Sequence, residues 1–267
     1  MGSKRDWLVY IRRHYYQLIY FLIRTVIVSM NLEQILISRT AIEQYLRCAK
    51  CFYLQRRLGL KPLSSIPLTL AGATDVLLKN DFDIVRYNQT SHPLWDRENI
   101  NVRAFKHPDI DTWRSAFRGI RVKHSSGAEV YGAIDDIWIN CETNELHIVD
   151  YKSTSKKDTP TLDTSFGEAY KRQMEIYQWL FIKTGFPVSK IGYFLYVNGI
   201  KEGHFYKDGT IGSILFETNL IPYIGDTAWI DTKISDAVNC LSKDEHPKSS
   251  ADCDTCRYYA QRNKLEI

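Results

Sequence analysis

The sequence lacks an excess of charge of either sign beyond its first 29 residues. Its 267 residues include 35 Lys and Arg and 31 Asp and Glu, for a formal net charge of +4. Residues 1–29 contribute that net charge by themselves, from five basic residues against Asp6, and leave 30 basic and 30 acidic residues that cancel. Bulk charge therefore gives no indication of a nucleic-acid partner, and such binding would have to come from local basic patches.

An uninterrupted apolar run of membrane-spanning length is also missing. Residues 18–28 are apolar but are interrupted by Arg24, and they show no small-residue cleavage site. We interpret residues 1–29 as a basic, apolar leader or as a mis-assigned start ahead of Met30, and we do not expect them to contact a membrane. Residues 30–267 are expected to form a single domain, since 44% of the chain is hydrophobic and 17 Tyr and 6 Trp favour a packed fold.

Cysteine is sparse, but four of the six cysteines stand in two C-x-x-C pairs, Cys48 with Cys51 and Cys253 with Cys256. Without a secretory leader these thiols indicate a reducing compartment, so we expect a cytoplasmic location in which paired thiolates bind metal more often than they form disulfides. Joining the pairs around one metal site would clip the two ends of the domain together and stabilise it. The alternative is two unrelated pairs of buried thiols.

Two acids and a lysine stand in two strand-like stretches, residues 131–136 and 148–152. Side chains alternate along a strand, so Asp150 and Lys152 lie on one face of the second stretch, and the residues between them lie on the other. If the two stretches pair as neighbouring strands, Asp135 lies close to Asp150 and Lys152. Carboxylate oxygens bind Mg2+ or Mn2+, and a lysine beside them can orient water or stabilise charge on a phosphate. The alternative is a hairpin whose charges face solvent.

These stretches resemble the motifs of the PD-(D/E)XK nuclease superfamily, in which a G-x-[IV]-D strand is followed by a [DE]-x-K strand. The matching residues are Gly132-Ala133-Ile134-Asp135 and Asp150-Tyr151-Lys152. A Q-x-x-x-Y pair, Gln173 and Tyr177, follows on a helix-like stretch. This order, together with the cysteines, is similar to the RecB-like branch, which includes AddB-type nuclease domains and the CRISPR-associated RecB-like exonucleases.

The resemblance implies an α/β, restriction-endonuclease-like fold: a mixed central sheet of four or five strands flanked by helices, with a four-cysteine metal clip joining the N- and C-terminal parts. It implies that Asp135 and Asp150 bind Mg2+ or Mn2+ and act in catalysis with Lys152. It also implies that Gln173 and Tyr177 bind the substrate strand.

The expected activity is that of a metal-dependent DNA nuclease, an exonuclease or end-processing enzyme that acts on a single strand or a duplex end. A DNA-processing complex is a potential partner. The alternative function is a non-catalytic nucleic-acid-binding module that keeps a structural zinc or iron–sulfur site.

Two features depart from the RecB-like pattern. Those relatives contribute one early and three late cysteines, whereas this chain has two and two, so the clip is expected to hold either a [4Fe–4S] cluster or Zn2+. Where the family has a metal-binding histidine on an earlier helix, the matching residue is Asp75, a third expected ligand for Mg2+ or Mn2+. The alternative for Asp75 is a solvated acidic helix face.

Helical periodicity is visible in several stretches. The predicted helices span residues 37–58 (capped by Ser38 or Thr40), 69–86, 113–121, 168–182 and 222–241. In the second of these helices Gly72, Val76, Leu77, Phe82 and Val85 stand at mostly helical spacing. In the third, Arg114 and two further arginines are expected to share a face directed at DNA phosphates or at solvent.

Strand signals follow the acid-bearing stretches. Residues 142–145 predict a polar turn between the two stretches. Residues 191–197 are dense in aromatic and β-branched residues and predict a buried strand. Asn198-Gly199 predicts a hairpin turn into a strand over 202–206.

Overall fold

The computed structural model describes residues 35–60, 68–164 and 166–265 of the chain. The interpretation of residues 1–29 as a leader or mis-assigned start falls outside the described residues. Among the helices that are described, none is both long enough and apolar enough to cross a membrane.

The described residues form ten strands and eight helices. The helices are α1 (Arg39–Arg47), α2 (Ala49–Arg56), α3 (Thr69–Asn88), α4 (Pro93–Arg97), α5 (Ile110–Trp113), α6 (Gly167–Lys183), α7 (Ile230–Ser242) and α8 (Asp254–Lys264). The strands are β1 (Leu36–Ser38), β2 (Val102–Ala104), β3 (Ile120–Lys123), β4 (Glu129–Gly132), β5 (Asp136–Asn140), β6 (Leu146–Thr154), β7 (Ile191–Gly199), β8 (Tyr206–Asp208), β9 (Ile211–Gly212) and β10 (Phe216–Ile224).

A five-stranded mixed sheet lies at the centre, in the order β10-β7-β6-β5-β2. β6 and β7 run parallel, and the other three neighbouring pairs are antiparallel. A smaller three-stranded sheet has the order β1-β4-β3, with β1 parallel to β4. The prediction of an α/β fold with a mixed central sheet flanked by helices is confirmed.

The two faces of β6 bury different cores, as the alternation in its sequence predicts. Ile148 belongs to a large core that also contains buried residues of α1, α2, α6 and α7. Val149 and Tyr151 belong to a smaller aromatic core, which includes Phe82 of α3 and Trp95 of α4. Asp150 and Lys152 therefore project from β6 toward α6, while the opposite face of the strand supports α3.

The predicted helix over residues 37–58 is interrupted at Cys48. The Ser38 side chain accepts a hydrogen bond from the Ala41 N–H at 3.1 Å and caps α1, as predicted. Cys48 has an extended backbone, with φ of −160°, and separates α1 from α2. The break turns this cysteine, which is buried, away from the helical path and toward the C-terminal part of the chain.

Two predictions about the end of the central sheet are wrong. Asn198 and Gly199 do not form a hairpin turn: they continue β7 and pair with Glu217 and Phe216 of β10. Pro222 lies within β10 and not at the start of a helix, and α7 begins only at Ile230. β10 is an edge strand, where a proline without an N–H costs no ladder hydrogen bond on its outer side.

One helical prediction ahead of the site also needs correction. No helix spans residues 113–121, because α5 ends at Trp113 and β3 begins at Ile120. Within the apolar pattern of α3, Phe82 is buried, but Val76 is 55% exposed. The face that packs on the sheet instead runs through Thr74, Phe82 and Arg86, so the buried stripe is displaced from the apolar pattern.

The last helix, α8, is attached differently from the others. None of its 11 residues is buried against the described parts of the chain. An apolar face therefore does not hold it in place, and the adjacent cysteines become its main link to the rest of the fold.

Candidate active site

The two acid-bearing stretches meet at a fork between the sheets. β4 ends at Gly132 in the three-stranded sheet and β5 begins at Asp136 in the five-stranded sheet, so residues 133–135 cross from one sheet to the other. The prediction of one continuous strand over residues 131–136 is therefore wrong. Its consequence for geometry is that Asp135 lies at the open end of β5, where the two sheets separate.

Gly132 stands at a close contact with α6. A Cβ atom added there would lie 2.8 Å from Cε1 of Tyr177 and 3.1 Å from Cδ1 of Leu180. Both of these α6 side chains are buried. Helix α6 can approach the end of β4 this closely because residue 132 has no side chain. Gly132 of the G-x-[IV]-D motif therefore packs directly against Tyr177 of the Q-x-x-x-Y motif.

We expect Gly132→Ala to destabilise the protein by about 1–3 kcal/mol, because the added methyl overpacks the buried Tyr177 ring. Denaturant unfolding measures the change. Gly72→Ala in α3 is the matched control, because an added Cβ there meets no described atom within 4 Å. Alanine is the better helix former, so the control is expected to gain up to about 1 kcal/mol. Equal stabilities of the two variants would contradict the close contact.

Asp135, Asp150 and Lys152 converge at the fork. Asp135 Oδ2 accepts a hydrogen bond from the Tyr151 backbone N–H at 2.8 Å. Asp150 is fully buried, and its Oδ2 forms an ion pair with the Lys152 ammonium. The same ammonium lies 4.4 Å from the centre of the Tyr170 ring, which adds a cation–π contact.

Gln173 links the lysine and one acid to α6. Its Nε2 donates to Asp150 Oδ1 at 2.8 Å and to the Tyr177 hydroxyl at 3.2 Å. Its Oε1 accepts from Lys152 Nζ at 3.5 Å. The side chains of the D-x-K and Q-x-x-x-Y stretches therefore form one hydrogen-bonded cluster, in which Gln173 restrains the carboxylate of Asp150.

The electrostatics of this cluster indicate surplus negative charge. Burial and then the charge of Asp150 raise the pKa of Asp135 to about 7, although the Lys152 ammonium opposes them. Burial acts to lower the pKa of Lys152, but the charges of Asp150 and Asp135 raise it overall. The lysine is therefore a stable cation at neutral pH, and the two acids together attract more positive charge than it supplies.

Asp75 lies at the rim of this cluster. Its Oδ2 accepts from Lys79 Nζ at 2.8 Å, and the same Nζ lies 4.0 Å from Asp135 Oδ1. Asp75, Asp135 and Asp150 do not make up a set of donor atoms that all lie within 4.8 Å of one another; in the described ranges, the four cysteines do. Sequence reasoning missed Lys79, although its i, i+4 spacing from Asp75 on a predicted helix was a usable signal.

A buried charge cluster behind the fork was also missed. Asp136 is fully buried and accepts from Arg86, from Arg114 Nη2 at 2.9 Å and from the Tyr151 hydroxyl at 2.8 Å. Both arginines also pair with Asp83. The predicted role of Arg114 at DNA or solvent is therefore wrong, since its side chain is only 6% exposed. Burial acts to lower the pKa of Arg114, but Asp136 and Asp83 raise it.

A cleft opens at the C-terminal ends of β6 and β7, against α3. Its volume is about 430 Å3. Its lining includes Thr74, Ser153, Lys201, His204, Phe205 and Phe216. Ser153 follows Lys152 directly but lies on the opposite face of β6, where it shares a hydrogen bond with Thr74 of α3. The cleft therefore lies on the α3 side of the strand, where Thr74 is next in sequence to Asp75.

The four cysteines of the two C-x-x-C pairs meet at one place, which joins the N- and C-terminal parts of the fold as predicted. The Sγ atom of Cys51 lies 3.5 Å from Sγ of Cys256 and 3.6 Å from Sγ of Cys253. The Sγ atoms of Cys48 and Cys256 lie 3.8 Å apart. Burial acts to raise the pKa of Cys48, but hydrogen bonds from the backbone of Cys51 and Ser250 help to lower it to about 6. Burial raises the pKa of Cys51, and it raises the pKa of Cys256 to about 11. Cys48 is therefore the thiol that favours the thiolate, the form that binds metal, and a cation would have to draw the protons from the other two.

Comparison with known proteins agrees with this arrangement. A family model described as the PD-(D/E)XK nuclease superfamily matches residues 86–261, which is more than half of the chain. The matched range contains Asp135, Asp150, Lys152, Gln173 and Tyr177. A search of curated proteins found no match.

Proposed function

The chain belongs to the PD-(D/E)XK nuclease superfamily, and from this we propose that it is a metal-dependent deoxyribonuclease, an exonuclease or end-processing enzyme that hydrolyses phosphodiester bonds. The observation that carries the proposal is the convergence of Asp135, Asp150 and Lys152 at the fork between the two sheets. The hydrogen bonds of Gln173 to this cluster add the third motif to the same place.

Asp135 and Asp150 suit Mg2+ or Mn2+ as ligands. Both offer carboxylate oxygens, which these hard cations prefer. Burial first, and then the charge of Asp150, raise the pKa of Asp135, and a divalent cation bound beside both carboxylates would offset these effects. When bound, such an ion supplies Lewis acidity at the phosphate and eases deprotonation of the attacking water.

The protein's own side chains have distinct parts in this mechanism. Lys152 remains charged and stabilises the negative charge that develops on the phosphate, while it orients the water for attack. Gln173 holds Asp150 in one orientation, and Tyr177 supports Gln173 from behind. Preorganisation of this kind lowers the barrier because the groups need no rearrangement during the reaction.

The cleft at the ends of β6 and β7 supports action on a single strand or a strand end, because its lining residue Thr74 adjoins Asp75 at the rim of the site. Its volume of about 430 Å3 suits a nucleotide or two and is too small for a duplex. Phe205 and Phe216 offer aromatic surfaces on which bases can stack, and Lys201 supplies a cation for the backbone. We therefore favour a substrate strand that enters from this cleft.

Cleavage assays test the proposed activity. Linear, end-labelled single-stranded and duplex DNA are expected to shorten in Mg2+ or Mn2+ and to remain intact in EDTA. Circular single-stranded DNA, which has no ends, is the control and should resist. Cleavage of the circle would overturn the end preference. DNA binding that is unaffected by EDTA, with no cleavage under either ion, would identify the protein as a non-catalytic binding module.

We also propose that the four-cysteine site holds one Zn2+ and no [4Fe–4S] cluster. Four thiolates at about 2.3 Å from one tetrahedral ion lie roughly 3.8 Å apart. Three of the sulfur pairs here lie 3.5 to 3.8 Å apart, and all four sulfurs lie within 4.8 Å of one another. A [4Fe–4S] cluster binds each thiolate to a different iron and so spreads the sulfurs more widely. The observed spacing favours a single ion.

A further inference from the structure

Lys79 is a cation at the active site that the nuclease motifs do not account for. It follows Asp75 by one turn of α3, with Nζ 2.8 Å from Asp75 Oδ2 and 4.0 Å from Asp135 Oδ1. The other oxygen of Asp135 is engaged by the Tyr151 N–H, so Oδ1 is the oxygen that faces the ammonium.

The position of Lys79 is open to a substrate. Its side chain is 23% exposed, and those of Asp75 and Asp135 are 32% and 27% exposed. Lys152, by contrast, is paired with the fully buried Asp150. The site therefore has an inner ammonium, which is committed to Asp150, and an outer one at the rim.

The formal charges of the site indicate what the Lys79 ammonium contributes. With all three carboxyls ionised, as binding of a cation to Asp135 and Asp150 requires, Asp75, Asp135 and Asp150 carry three negative charges against two positive charges of Lys79 and Lys152. One divalent cation would leave a net charge of +1, which complements a phosphodiester. Without Lys79 the same site with one ion would be neutral, and the phosphate would lose a favourable charge interaction in a partly water-excluded site.

We propose that Lys79, held in place by Asp75, binds a non-bridging oxygen of the substrate phosphate. Asp75 is then a positioning residue for this lysine and not a metal ligand. The inference rests on the proposed function, because it takes the phosphate at Asp135 and Asp150 to be that of a nucleic acid. It differs from a simple placeholder role, in which Lys79 would only occupy the position of a cation until the metal binds.

The test measures binding of a fluorescent single-stranded oligonucleotide over a series of salt concentrations, with Ca2+ in place of Mg2+ to stop turnover. Lys79→Met is expected to weaken binding and to reduce the slope of log affinity against log salt by about 0.7, the loss of one phosphate contact. Lys79→Arg should keep the slope. Asp75→Asn should reduce it in part.

Lys233→Met is the matched control, since Lys233 forms a similar intrahelical pair with Asp236 at 2.9 Å on α7. This control should leave both affinity and slope unchanged. Lys79→Gln keeps a polar side chain and serves if the Met variant does not fold.

Mn2+ binding, followed by electron paramagnetic resonance, provides a readout independent of turnover. Loss of the ammonium near Asp135 is expected to tighten Mn2+ binding. Tighter Mn2+ binding with an unchanged salt slope would show a placeholder and overturn the proposal. A wild-type protein that cleaves no DNA would overturn the proposed function, whereas a reduced slope in Lys79→Met would still support phosphate binding by Lys79.

Discussion

Lys152→Ala is expected to slow Mg2+- or Mn2+-dependent DNA cleavage by about a hundred- to a thousandfold, the usual cost of removing a group that stabilises developing charge. The variant removes the ammonium that pairs with Asp150 and contacts Gln173. Initial rates on labelled DNA at saturating metal measure the effect. A folded Lys152→Ala protein with full activity would rule out the proposed mechanism.

Stability has to be measured beside the rate, because Asp150 is fully buried. Removing the partner of a buried charge costs about 3–5 kcal/mol, so Lys152→Ala should be clearly less stable in EDTA. Mg2+ should restore part of that loss if Asp150 binds the ion. Lys171→Ala is the control: this α6 lysine pairs with the exposed Glu168 at 2.8 Å, and its removal should change neither rate nor stability appreciably.

Removal of the proposed Zn2+ from the four-cysteine site is expected to destabilise the fold by about 4 kcal/mol or more, because the ion would close a loop of some two hundred residues. Cys48 and Cys256, which lie at its two ends, are 208 positions apart. Cys256→Ser, or strong chelation of the wild type, should lower the melting temperature by on the order of 10 °C. Calorimetry measures the change.

Cys141→Ser is the matched control for this site, since Cys141 is exposed and lies outside the four-cysteine set. It should leave both the melting temperature and the metal content unchanged. Elemental analysis of anaerobically purified protein should find one zinc per chain. A brown protein that contains iron and absorbs near 400 nm would contradict the single-ion proposal.

Much of the site's composition could be predicted from short motifs, because strand alternation is a local rule. Strand alternation predicts that Asp150 and Lys152 share one face of β6, and the ion pair between their side chains confirms it. The meeting of the cysteine pairs could be predicted because metal ligation constrains C-x-x-C spacing wherever the pairs fall in the chain.

The fork could not be predicted, because local periodicity does not report which sheet a strand joins. Residues 131–136 alternate as one strand would, yet the hydrogen bonds of β4 and β5 go to different partners. The prediction that Arg114 faces DNA or solvent failed for a related reason. Its partner Asp136 is buried because β5 begins there, in a different sheet from β4. The prediction of a turn at Asn198-Gly199 failed because these residues pair with Glu217 and Phe216 of β10, and that pairing keeps them in β7.

The weak attachment of α8 gives the metal site a second consequence, for local opening. Cys256 lies in the first turn of this helix, which buries no residue against the described parts of the chain. If the four cysteines hold the proposed Zn2+, detachment of α8 costs little beyond the release of two thiolates from that ion. Ligand exchange at that ion would then govern the opening free energy of this segment, which could open independently of the cooperative unfolding of the central sheet.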